Sequence, residues 1–218
     1  MAADWTTISS LATAGGTLVL AVATFSSVKS ANRSARVAER SLQVGLRPVL
    51  IPSRVDDPTE RIRFGDGQAL VVPGHGAAVE ERDGVIYLAV SVRNGGSGLG
   101  VINGWRARPR EQGAPGPPNL DEFRRQQLDL YVPAGDPGQW MGAMRDPHEA
   151  GYGELRTAIA AGEPIQIDLL YGDHEGGQPT IARFMISPWP PAEDDEPLPE
   201  GKRAVVVRYW NVDGGVAG

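Results

Sequence analysis

The side chains best suited to chemistry stand together in Gly172-Asp173-His174-Glu175-Gly176-Gly177. An imidazole between two carboxylates can hold a divalent cation or move a proton. Neighbours in one loop rarely aim at a single ion, however, and metal sites usually draw three or four protein ligands. The run also lacks the alternating acidic residues and closing Glu of a calcium loop. A polar glycine-rich connection between the apolar runs 165–171 and 180–186 needs no chemistry at all. Asp173, His174 and Glu175 are therefore weak metal candidates, and no residue is assigned as catalytic. Of the other two histidines, His75 falls in a turn (Pro73-Gly74-His75-Gly76) and His148 follows Asp146-Pro147 near an expected helix start.

A second loop, residues 94–104, reads NGGSGLGVING. A dinucleotide loop starting at Gly96 and Gly98 needs a glycine where Val101 stands, and a helix where the sequence continues as a strand. A Walker lysine is missing as well. The loop is expected to be a tight connection between adjacent strands, with glycine allowing close backbone approach. No serine occupies a G-x-S-x-G elbow. The chain has no cysteine, which excludes a disulfide framework, a thiolate metal site and a cysteine nucleophile. No cofactor is expected. Trp189, Pro190 and Pro191 lie in a proline-rich stretch that could present a preformed extended helix to a partner, or could stack on the domain's own surface.

These residues need a scaffold, and the sequence divides into two parts. Trp5 to Val28 is a run of 24 residues without charge, bounded by Asp4 and Lys29. At ~1.5 Å per residue it spans roughly 36 Å, enough to cross a ~30 Å hydrocarbon layer. No basic residue precedes it, unlike a cleaved signal peptide. Lys29, Arg33, Arg36 and Arg40 follow it, so the positive-inside rule puts the N-terminus outside and the rest in the cytoplasm at the inner (plasma) membrane. Trp5 suits the headgroup layer. The span reads as a single-pass transmembrane helix, residues 1–28 including its short flank.

Residues 29–45 read as a basic juxtamembrane helix, whose arginines either meet anionic lipid or merely fix topology. Ala12 and Gly16 form a small-xxx-small pair that would let two such helices approach closely and make a homo-oligomer. Residues 1–50 hold five basic and two acidic side chains; the remainder holds 16 basic and 25 acidic. That acidic balance disfavours nucleic acid as a partner.

From residue 46 to 218 the apolar pattern has period two. Strands are expected at 48–52, 69–72, 85–93, 101–108, 127–132, 139–144, 165–171, 180–186 and 204–210, separated by Gly, Pro, Asp and Asn. Short helices are expected at 120–126 and 153–161. The fold class is mainly β: an N-terminal transmembrane and juxtamembrane helix, then an antiparallel β-sandwich with one or two short helices.

Several stretches carry a resemblance: TLVLAVATFSSVKSANRSARVAERSL (17–42), LRPVLIPS (46–53), LYVPAGD (130–136), LLYGDHEGGQPTIAR (169–183) and VRYWNV (207–212). On them the chain resembles a group of uncharacterised actinobacterial single-pass membrane-anchored proteins. VSVRNGGSG (90–98) is similar to the strand-and-turn signature of bacterial immunoglobulin-like sandwich domains. The resemblance implies an anchored immunoglobulin-like domain and brings no activity with it. The functional expectation is a non-enzymatic cytoplasmic binding or scaffolding module for an unidentified protein partner, engaged through loops at one end of the sandwich. The alternative is a membrane-tethered hydrolase or metal-dependent enzyme using Asp173, His174 and Glu175.

Overall fold

The structure, a computed structural model, describes residues 5–111, 113, 116–190 and 201–212. It divides into two units, one ending at Gly45 and one starting at Leu46.

The first unit is a single helix, α1 (Trp5–Gly45), 41 residues long and unbroken between its apolar and basic halves. No proline occurs before Pro48, whose ring disfavours helical backbone at the residue before it. Thr13, Thr17 and Thr24 donate their hydroxyls to the carbonyls of Ser9, Thr13 and Leu20 at 2.9, 2.9 and 2.8 Å. Each hydroxyl is thereby satisfied without water. The apolar side chains have no protein cover: Leu18 is 67%, Leu20 69% and Phe25 70% exposed. This is the one helix among the described residues long and apolar enough to cross a membrane.

The second unit is mainly β. Its strands are β1 (Leu50–Pro52), β2 (Glu60–Arg63), β3 (Ala69–Val72), β4 (Gly76–Arg82), β5 (Val85–Asn94) and β6 (Gly100–Pro109). They continue as β7 (Arg124–Val132), β8 (Pro137–Met144), β9 (Ile165–Gly172), β10 (Thr180–Ser187) and β11 (Lys202–Asn211). A short helix, α2 (Tyr152–Ala160), lies between β8 and β9.

Nine of the strands form one curled antiparallel sheet. Along one edge β5 pairs with β4 and β1 in succession, and along the other it pairs with β8. From β4 the sheet continues through β11, β10, β9 and β6 to β7. The two halves face each other across a core that includes Leu88, Val90, Trp105, Trp140, Leu155, Ile167 and Phe184. Leu155 of α2 is fully buried in it, and the Tyr152 hydroxyl donates to the Gly84 carbonyl at 2.8 Å. The hairpin β2–β3 packs Ile62, Phe64, Leu70 and Val72 on the outer side of the sheet, against Tyr87 and Ala89.

Three expectations are corrected. β2 and β4 were not legible as strands because ERIR has one apolar residue and GAAVEER alternates poorly. At 120–126 a single 3-10 turn (Leu120–Glu122) forms, capped by Asn119, whose side chain accepts from the Asp121 amide at 3.1 Å. β7 begins two residues later, so burial of alternate side chains overrides the helical propensity of Arg and Gln there. The glycine-rich loop does not connect adjacent strands: β5 and β6 lie in different halves of the curled sheet.

Candidate functional site

Asp173, His174 and Glu175 form the hairpin connection from β9 to β10. The Asp173 carboxylate turns inward and accepts from the Glu175 and Gly177 amides at 3.0 and 2.7 Å. It serves as the internal cap of a tight turn. The side chains of His174 and Glu175 are 59% and 79% exposed, with 4.0 Å between Nε2 and the carboxylate. The three side chains therefore do not converge on one point. His75 is tied to Ser53, its ring nitrogen 3.0 Å from the Ser53 carbonyl, and His148 donates its amide to Asp146. Among the described residues no three His, Asp or Glu side chains gather as a metal site would need.

The glycine loop is organised by Asn94. Its side-chain oxygen accepts from the amides of Val49 and Gly96 at 3.1 and 2.9 Å, and its amide donates to the carbonyls of Gly98 and Val132 at 2.6 and 2.9 Å. All four hydrogen-bonding positions of the amide group are used. Glycine is required because residues 46–49 lie directly on the loop: a Cβ on Gly98 would overlap the Leu46 carbonyl. Packing, and not phosphate, accounts for this motif.

Trp189 is half-buried, its ring 6.2 Å from that of His75, and Pro190 beside it is exposed. Pro191 lies outside the described residues, as do the side chains of Trp5, Ala12 and Arg40. Lys29, Arg33 and Arg36 are exposed along α1, and Gly16 has open space around it.

A charged cluster that periodicity did not reveal crosses the sheet. Arg106, Asp168, Arg183 and Arg208 are paired in register on β6, β9, β10 and β11. Asp168, 1% exposed, accepts from Arg106 at 2.5 and 3.1 Å and from Arg183 at 2.6 and 2.9 Å. Arg106 also pairs with Glu122, and Trp210 lies 4.7 Å beneath the Arg183 guanidinium. A buried carboxylate held by two guanidiniums favours one register over a slip of the strands.

An open cleft lies where the curled sheet fails to close. β7 and β8 follow one another in the chain, yet β7 pairs with β6 and β8 with β5. Side chains bridge them in place of a ladder. Gln126 donates to the Met141 carbonyl at 3.2 Å and accepts from the Trp140 indole at 3.2 Å; Arg124 donates to the Ala143 carbonyl at 3.4 Å. The backbones thus stand further apart here than the ~4.8 Å of paired strands.

Beneath this seam Trp105 and Trp140 meet edge to face, their centroids 5.3 Å apart, an arrangement worth ~1 kcal/mol beyond area burial. Gly142 lies against them; a Cβ there would come within 2.7 Å of Trp140 and 2.9 Å of Trp105. The Arg124 guanidinium sits 4.9 Å from the Trp105 ring and pairs with Glu149, and burial pushes it below the ordinary guanidinium value. It remains charged at neutral pH.

Along the seam runs a cleft of about 660 Å³, lined among others by Phe64, Trp105, Arg125, Leu128 and Met141. Leu128 is 67% exposed. Arg125 is exposed and has no hydrogen-bond or ion-pair partner among the described residues. Sequence reasoning missed these residues because it treated 120–126 as helix. The available signal was the alternation of Arg124 and Gln126 into a strand already ending in LDLYV.

No family model, curated protein or solved structure matches this chain.

Proposed function

We propose that this chain is a single-pass membrane-anchored module whose β domain lies on the cytoplasmic side and binds a protein partner without catalysing a reaction. One observation carries the anchor: the apolar residues of α1 are more than half exposed along its length, for example Leu11 69%, Val22 59% and Val28 53%. A stripe of that size favours an apolar medium. Lys29, Arg33, Arg36 and Arg40 supply the orientation, through the preference of basic flanks for the cytoplasmic side. The likeness to actinobacterial anchored proteins and to immunoglobulin-like domains belongs to the same proposal and rests on the sequence stretches that carry it.

Binding is favoured over catalysis because three polar groups of the loops and the sheet have structural work. Asp173 caps a turn, Asn94 ties three segments, and Asp168 holds two arginines. The open cleft between β7 and β8 combines apolar side chains with three arginines and the carboxylates of Asp146 and Glu149, a composition suited to a peptide or protein surface. The test is proximity labelling with the full chain in its native host. The expected result is one reproducible set of neighbours that is lost when residues 46–218 are replaced by an unrelated folded domain on the same helix. The same neighbours recovered with the replacement would refute partner binding by the β domain.

A further inference from the structure

We infer that the β7–β8 seam is a strand-addition site, filled by an extended segment of the partner that carries a carboxylate among apolar side chains. This deepens the binding-module reading and rests on it. A sheet that curls until its last strand faces its first ordinarily closes by a backbone ladder. Here it does not. The Met141 and Ala143 carbonyls receive hydrogen bonds from the Gln126 and Arg124 side chains, and β7 offers β8 no ladder.

The facing strand is interrupted as well. β7 pairs with β6 at Arg124–Arg125 and again at Leu130–Val132, and residues 126–129 between them oppose a single residue, Asn103. That irregularity lies on the β6 side of β7; at the seam itself β7 ends the sheet path and β8 pairs only with β5, so each strand has one edge without a ladder partner among the described residues. An exposed edge of this kind is a template for another strand, and main-chain pairing with alternate side chains in pockets is the established physics of such recognition.

The side chains specify what the strand carries. The cleft presents three guanidiniums. Arg124 is committed to Glu149 and Arg145 to Asp66. Arg125 alone is uncommitted among the described residues, so one carboxylate on the incoming strand meets it. Leu128 on β7, with Phe64 and Met141 on the wall, receives apolar side chains at alternate positions. Strand insertion displaces the Gln126 bridge, a cost small enough for a main-chain ladder to offset.

The experiment is peptide-display selection on the full chain in lipid nanodiscs, with ten-residue random peptides as the probe. Selected peptides are expected to alternate apolar and polar residues, to lack proline and to hold Asp or Glu near the centre. Binding should slow hydrogen exchange at the amides of Met141 and Ala143. Arg125→Glu should weaken the selected peptides about tenfold. Because the chain has no cysteine, the double variant Gln126→Cys/Met141→Cys carries a unique thiol pair that a reductively cleavable bis-maleimide can bridge across the seam. It should lose binding when bridged and regain it when the linker is cleaved, and the unbridged form controls for folding. Peptides that bind equally well to the bridged form, or that leave exchange at Met141 and Ala143 unchanged, would overturn the strand-addition site while leaving a binding module with its surface elsewhere. Failure to select any peptide on residues 46–218 would overturn the site; if proximity labelling also found no partner, the binding reading would fall with it.

Discussion

Asn94 and Asp168 show how much a single buried polar side chain can organise. Removing the Asn94 amide leaves the Val49 and Gly96 amides and the Gly98 and Val132 carbonyls without their partner. Asn94→Ala is therefore expected to lose about 3 kcal/mol in chemical denaturation, with an unchanged slope. Asp168→Asn keeps the shape but leaves Arg106 and Arg183 buried without a full counter-charge, and should cost about 3–5 kcal/mol in the same assay. His174→Ala provides the contrasting case. Its side chain is exposed and the Asp173 carboxylate beside it is occupied by backbone amides. Titration calorimetry with zinc or manganese should give the same trace for the variant as for the unmodified chain. A site-specific heat lost with His174 would revive the metal-dependent enzyme.

The hairpin β2–β3 is attached through Asp66, which accepts from the Tyr87 hydroxyl at 2.7 Å and pairs with Arg145. The Tyr87 hydrogen bond first, and then the one from Arg145, lowers the Asp66 pKa to about 2. In the unfolded chain it is near ~3.9. The stabilisation is thus complete above that unfolded value and is lost as pH falls through about 2. Hydrogen exchange across Glu60–Val72 should accelerate between those values ahead of the main sheet, and Asp66→Asn should abolish the difference. Dense apolar runs made the central strands β5, β9 and β10 readable in sequence, because both their faces are buried and β-branched or aromatic residues fill them. β2, β4 and the start of β7 were not readable: their exposed faces are polar and few large apolar residues mark them. The seam was hidden because it depends on which strands pair and not on the composition of either one.

For the chain as a whole, the long apolar helix was the most legible feature because it depends on local composition alone. The fold class followed from period-two patterning, whereas the curl of one continuous sheet, and the separation of β5 from β6 within it, required the tertiary structure. The anchored arrangement makes a direct demand on topology. In spheroplasts of an expressing bacterium, Thr59→Cys places a unique thiol on the exposed face of the loop before β2. A membrane-impermeant maleimide should leave this thiol unlabelled until the membrane is permeabilised, with the protein remaining in the membrane fraction throughout. Labelling of intact spheroplasts would put the β domain on the outer side and contradict the account.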